Sequence, residues 1–276
     1  MTNTNIEFIE ATEENWQEMM ALGYKYRMGI GIKKNINKGN NLYKKVFPFL
    51  KKEADQGDVG AKYLVASEYV QGNFMRVNFQ QAYQYYTSSA EEGHSYAQYY
   101  LGVMYNLGDG VDKNINKALH WYKKSAELGN PAALEKLGYI YENGEGVDKC
   151  SKTAMNYFSS FTKHQRTELD IDHDPAGIAE LYLGSYFEKG EIVKMDLQTA
   201  YSWYLQSAKL RNITGQYEVA KCYHNGKGVD TDYNEEIKWL KVAAKHGHAN
   251  SKKLLKHTKH EHSLYGKIKS FLFKGA

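Results

Sequence analysis

Apolar positions recur three and four residues apart along most of the chain, and each such run stops at glycine. Ala97, Leu101 and Tyr105 fall on one side of a 3.6-residue helix, and Gly102 sits beside them, where a small residue lets a neighbouring helix approach closely. Gly108-Asp109-Gly110 then breaks the helix, because glycine reaches backbone angles that other residues avoid. Ala118, Trp121, Tyr122 and Ala126 form a second apolar face, and Gly129 stands where a left-handed residue would end that helix. The pattern predicts two helices joined by a glycine turn. No β-hairpin signal competes.

The same phrase returns at a constant spacing of thirty-six residues. It reads Leu137-Gly138, Tyr141, Gly144, Gly146 and Ala154 downstream, and Val65-Ala66, Tyr69, Gly72, Ala82 and Gly93 upstream. After an insertion of ten residues it resumes as Leu183-Gly184, Phe187, Gly190 and Ala200, then as Val219-Ala220, Tyr223, Gly226 and Ala244. A degenerate copy, Leu22-Gly23, Tyr26, Gly29 and Ala54, opens the array, making six units. The expected boundaries are 16–60, 61–96, 97–132, 133–175 with an insertion at 163–174, 176–211 and 212–248, with 249–276 as a basic cap and tail. Asn78, Asn114, Cys150, Asp196 and Asp232 occupy the predicted N-cap of successive second helices, and four of the five are strong capping residues.

The Ala-x-x-x-Leu-Gly-x-x-Tyr-x-x-Gly-x-Gly-Val pattern followed by Lys-Ala-x-x-Trp-Tyr resembles the Sel-1-like repeat family, relatives of the tetratricopeptide repeats. The resemblance covers roughly residues 16 to 255 and is fullest between Ala97 and Gly129. It implies an all-α, right-handed α-solenoid of about six helix-turn-helix units with a C-terminal capping helix. It also implies a non-catalytic module that binds a protein or peptide on a concave surface, without a cofactor. A narrower role within the same resemblance is a bacterial immunity or inhibitor protein that sequesters one toxin or enzyme. The cysteine-rich Helicobacter-type members, linked to β-lactam binding, carry a cysteine pair in each repeat. Cys150 and Cys222 do not supply that pattern, which leaves a hydrolase reading without its residues.

Composition fits a helical array: three prolines in 276 residues suit long helical runs, and 24 tyrosines supply rings to interlock between units that cannot bury their faces alone. There is no run of about eighteen apolar residues, and Met1 to Asn15 lacks an apolar core like that of a secretory signal, so a cytoplasmic protein without membrane insertion is expected. The net charge of +4 is carried by the tail, with seven lysines and one glutamate from Ser251 to Ala276. That tail reads as a capping helix, with Leu254, Leu255, Leu264, Ile268 and Phe271 inward. A basic face with interleaved aromatics, which nucleic-acid binding needs, is not seen.

Other candidate chemistry is thin. Asp170, Asp172 and Asp174 alternate like a calcium loop, but Pro175 and Leu181 occupy the places of its glycine and its glutamate, and a solvated acidic loop is expected. His257, His260 and His262 lack a carboxylate or cysteine to complete a metal site. Cys150 at an N-cap invites a reactive thiol, against the plainer reading that Ser151 takes over the cap. The glycine turns follow helices rather than strands and carry no Lys-Ser or Lys-Thr pair, which rules out a nucleotide loop. No catalytic constellation is recognisable.

By resemblance to tetratricopeptide arrays, the first helix of each unit lines the binding wall. The positions this implies are Tyr24 and Arg27; Tyr63 and Ser67; Tyr99, Val103 and Asn106; Glu135, Tyr139 and Glu142; Leu181, Ser185 and Glu188; and Tyr217, Lys221 and His224. Tyrosine occurs in five of the six sets, and it suits recognition because it offers rigid apolar area and a hydroxyl. Glu135, Glu142 and Glu188 make the middle acidic, so a basic or mixed-charge partner is expected.

Overall fold

The computed structural model of the chain describes residues 10–163, 177–258 and 260, and among them there is no strand. The helices come in pairs: α1 (Trp16–Met28) with α2 (Ile36–Asp55), α3 (Val59–Gln71) with α4 (Phe79–Glu91), and α5 (Ser95–Leu107) with α6 (Ile115–Glu127). The series continues with α7 (Pro131–Asn143), α8 (Ser151–Thr162), α9 (Ile178–Lys189), α10 (Leu197–Lys209), α11 (Ile213–Asn225) and α12 (Tyr233–Lys245). A last helix, α13, occupies 249–258. The chain divides into two compact units, 1–133 and 134–276, and the division falls in the first turn of α7.

In the first unit each helix packs on the next, so that α2 and α4 stand between hairpins as well as within them. Its core is Val46 and Leu50 of α2, Val65 and Ala66 of α3, Tyr86 of α4, Ala97 and Leu101 of α5, and Tyr122 of α6, all but sealed from solvent. In the second unit α8, α9, α10, α11 and α12 pack in succession. Phe158, Leu183, Tyr204, Val219 and Leu240 fill that core. Each such side chain removed from water contributes about 1.5–3 kcal/mol, which no single hairpin could gather alone.

The glycine in the first helix works as expected from its place beside the apolar face. A Cβ at Gly102 would lie 2.7 Å from two ring carbons of Tyr122, and one at Gly138 would lie 2.6 Å from Phe158. Tyr43 and Tyr204 lean in the same way on Gly23 and Gly184. The ring of the second helix thus lies close against bare backbone of the first. A second glycine does a different job: Gly110 and Gly228 have positive φ, and a Cβ on either would run into the first carbonyl of the preceding repeat's second helix, at Phe79 or Leu197.

The turn is constant because its backbone is tied at both ends. Asn35, Asn78, Asn114, Cys150, Asp196 and Asp232 each return their N–H to the carbonyl of the recurring aromatic nine residues earlier, from Asn35 to Tyr26 through Asp232 to Tyr223. Asn78, Asn114, Asp196 and Asp232 also cap their helices with side-chain oxygen, as their residue types require. Cys150 remains the N-cap residue but closes no capping bond with its side chain, and Ser151 is the first helical residue. The expectation that Ser151 takes over the cap is therefore wrong, because the backbone return bond from Cys150 to Tyr141 holds the register.

A buried serine joins the two helices of a hairpin. Ser89, Ser125 and Ser207 donate to the carbonyls of Val59, Ser95 and Gly177, each thirty residues earlier, and satisfy a helix-start acceptor inside the core. At the end of the second helix Gly57, Gly93, Gly129 and Gly247 take positive φ as expected, and among the described residues Arg211 adopts it without being glycine.

Helix α13 continues the array past the last hairpin. Its Ser251 is buried and Thr258 donates to Glu236 at 2.6 Å, while Leu254 and Leu255 are half-buried. The expected inward residues Leu264, Ile268 and Phe271, the insertion beyond Lys163 with its aspartates, and His262 lie outside the described residues.

Candidate binding faces

In the first unit the expected wall positions split into a polar link and a ring surface. Arg27 projects from α1 with its guanidinium 4.5 Å above the ring of Tyr43. It donates to Glu68 at 2.8 Å and to Gln71 at 2.5 Å, both on α3. Gln71 donates in turn to Ser67. Glu68 is 5% exposed, so the pair is a buried tie between repeats and its removal would strand a charge. Tyr24 stands half-buried on the same helix, near Tyr43.

Tyr63 is the hub of the ring surface. Its centroid lies 4.7 Å from His94, stacked, and about 6 Å from Tyr86, Tyr96 and Tyr100. Tyr99 meets Tyr100 edge-on at 5.2 Å and Tyr122 at 5.7 Å. Tyr86 and Tyr122 are the buried floor, whereas Tyr63, His94, Tyr96, Tyr99 and Tyr100 keep part of their surface in solvent, as do Val103 and Asn106. Burial pushes the Tyr63 phenol up to about 12 and that of Tyr100 well above its usual 10.0, which keeps both neutral.

In the second unit the acidic positions are already engaged. Glu142 accepts from Tyr186 at 2.6 Å and pairs with Lys149 at 3.2 Å. Burial alone would raise its carboxyl, but hydrogen bonds from Tyr186, Ser151 and Lys149 outweigh it and bring the pKa below 4.5. Glu188 accepts from Tyr204 at 2.7 Å and from Lys227 at 2.7 Å, with the same outcome against the same burial. The residue after the recurring aromatic of one repeat thus reaches the residue before that aromatic in the next, as Arg27 reaches Glu68 and Glu142 reaches Tyr186. Glu135 is half-buried on α7, and Leu181 packs on the Tyr204 and Val219 cluster while Ser185 is half-buried beside it.

Tyr139 is 38% exposed, with Lys136 over its ring at 5.4 Å. Tyr217 lies tilted against His248 with ring centroids 4.6 Å apart, Lys221 pairs with Glu218, and His224 contacts the buried Glu236. The strip of negative charge expected along the middle is therefore largely offset by its own lysines.

One set of positions escaped the residue pattern. Asp58, His94, Asn130, Asn212 and His248 cap the first helices, accepting from the amides of Ala61, Ala97, Ala133, Gly215 and Ser251. Their spacing of thirty-six residues was the available signal, obscured because histidine is not a usual cap. The thiols lead elsewhere: burial pushes Cys222 up to about 12, while Thr153, donating to Cys150 at 3.1 Å, holds that thiol below its usual 9.0. Among the described residues no three His, Cys, Asp or Glu side chains converge on a metal position, and no helix is long and apolar enough to cross a membrane.

Paired helices, most of them thirteen residues long, glycine-for-ring packing and a tied turn define an all-α helical-hairpin repeat protein. The chain belongs to the Sel1 repeat family, whose model matches residues 19–45, 59–94, 95–130, 131–161, 177–212 and 213–248. Members of the family are in general protein-interaction scaffolds. A protective antigen of uropathogenic Escherichia coli strains with an SLR fold is similar at 24% identity and a TM-score of 0.69, over 88% of this chain and 48% of that one. The chain thus spans about half the length of that protein. A Sel1 repeat protein from Oxalobacter formigenes is similar at 27% identity and a TM-score of 0.64, over 79% and 86% of the two chains. An immunity protein from Pseudomonas aeruginosa reaches only 19% identity and a TM-score of 0.33, over 68% and 82%, too low a likeness to bear on function. No curated protein matches the chain by sequence.

Proposed function

We propose that this protein is a non-catalytic binding module that takes a protein or peptide partner on its first-helix faces, with the tyrosine surface of α3 and α5 as the principal contact. The observation that carries this reading is the set of four half-exposed tyrosines, Tyr63, Tyr96, Tyr99 and Tyr100, held on a floor of fully buried rings. Rings fixed in this way lose little entropy on binding, and each offers apolar area, a π face and a hydroxyl. The neutral phenols suit a partner that presents lysine, arginine or aliphatic side chains. Because Glu142 and Glu188 are paired internally, attraction for a basic partner comes from these rings more than from an acidic strip.

Site-specific cross-linking tests the assignment. A photoreactive phenylalanine analogue at Tyr99 should capture partners that the same analogue at Lys123, exposed on α6, does not. Val103→Glu should weaken a captured partner at least tenfold, since central interface positions are commonly worth about 2 kcal/mol, with helicity unchanged. Equal capture from both positions, or full affinity in the Val103 variant, would move the site off this face. One partner whose activity is abolished marks an immunity or inhibitor role; several weakly held partners mark a general scaffold.

A further inference from the structure

His94 and His248 stand one residue past the glycine that ends a second helix, four repeat lengths and one insertion apart, and they do the same two things. Each caps a first helix through a ring nitrogen: Nδ1 of His94 accepts from the amide of Ala97, and Nδ1 of His248 from the amide of Ser251, both at 3.2 Å. Each ring also lies against the wall tyrosine of the preceding hairpin, His94 on Tyr63 at 4.7 Å and His248 on Tyr217 at 4.6 Å. Where the cap is Asp58, Asn130 or Asn212, a different residue type does the first job. The pairing of a histidine cap with a wall tyrosine thus occurs in both units.

We propose that these two histidines make the first-helix face of each unit pH-responsive: protonation of either ring removes its cap and sets a positive charge against the wall tyrosine it touches, so the start of the capped helix is held at neutral pH and loosened under mild acid. This rests on the reading of that face as the binding surface. The chemistry is direct, because Nδ1 can accept the amide only while it carries no proton, and a helix N-terminus disfavours a cation. Around His94 the facing groups are the phenols of Tyr63 and Tyr96 and the Asp58 carboxylate that opposes the effect, while Lys62, next to Tyr63, and Glu92, two residues before His94, pair with each other. Burial outweighs Asp58 and holds His94 below its usual 6.5. Around His248 they are Tyr217, the Ser251 hydroxyl at 2.8 Å, and Lys221, whose ammonium lies 5.5 Å from the Tyr217 ring.

The test needs no partner. In nuclear magnetic resonance titrations of the full chain from pH 8 to pH 5, the amides of Ala97 and Ser251 and the rings of Tyr63 and Tyr217 should shift with the midpoints of the two imidazoles. His94→Asn keeps a capping oxygen, as Asn130 does, and should flatten the response of Ala97 and Tyr63 while leaving Ser251 and Tyr217 responsive. His248→Asn should do the converse. Amides and rings that stay fixed while the imidazoles titrate, or transitions that persist in the asparagine variants, would overturn the proposal. Those results leave the cross-linking outcome at Tyr99 untouched, so failure of the switch and failure of the binding face are separable.

Discussion

Gly102 offers the sharpest test of how the repeat is held together. Replacing it by alanine sets a Cβ 2.7 Å from two carbons of the Tyr122 ring and 3.2 Å from the carbonyl of Ala118, against an ordinary carbon–carbon contact of 3.5–4.0 Å. Ring or helix must yield by about 1 Å. Tyr122 is completely buried, so it has nowhere to swing. Overpacking of this kind costs about 1–3 kcal/mol, offset by about 1 kcal/mol of better helix propensity. Gly102→Ala should therefore be destabilised by about 0–2 kcal/mol, and Gly102→Leu, with three more carbons to place, by about 3 kcal/mol or more. The protein contains its own control. In the last hairpin the same two positions hold Ala220 and Leu240, both buried. Tyr122→Leu alone should cost about 1–3 kcal/mol through lost burial and a cavity, but Gly102→Ala with Tyr122→Leu rebuilds the Ala–Leu pair and should cost less than the sum of the single changes. Urea unfolding followed by circular dichroism at 222 nm measures all four variants, fitted stepwise because repeat arrays unfold in more than one step. An unchanged midpoint in Gly102→Leu, or strict additivity in the double variant, would refute the ring-on-glycine argument.

Two further changes probe the turns and the carboxylates. Arg211 is exposed and holds φ at +68° where four other repeats use Gly57, Gly93, Gly129 and Gly247; Arg211→Gly should raise stability by about 0.5–1 kcal/mol, the left-handed penalty less the extra entropy of unfolded glycine, and a lower melting temperature would count against it. Glu142 and Glu188 titrate below 4.5 when folded, so the stability they contribute is complete above about pH 4.5 and lost as pH falls through their folded values. The doubly substituted Glu142→Gln, Glu188→Gln protein should accordingly show a shallower fall in melting temperature between pH 5 and pH 3 than the parent.

The helix pairs, the period, the four usual N-caps and the glycine under Tyr122 were all legible in the chain, because each depends on residues within one hairpin. Backbone angles and capping bonds are settled over three or four positions, and a ring faces a glycine in the hairpins that carry Gly23, Gly102, Gly138 and Gly184. The wall was legible only as a list of positions. Tyr63 and Tyr139 are both first-helix tyrosines of the implied wall, yet Tyr63 is wedged among four rings while Tyr139 stands open to solvent. Arg27, Glu142 and Glu188 were placed on the wall as free charges, and the folded chain spends each of them on a residue thirty-nine to forty-four positions away. A periodic reading treats every repeat alike, whereas an ion pair or a ring stack depends on the particular residue that the next repeat brings against it. The same holds for His94 and His248: nothing within their own helices distinguishes them from surface histidines. Only the stacking of one hairpin on the next brings a wall tyrosine against each ring, and only that contact joins the protonation of a helix cap to the shape of the face.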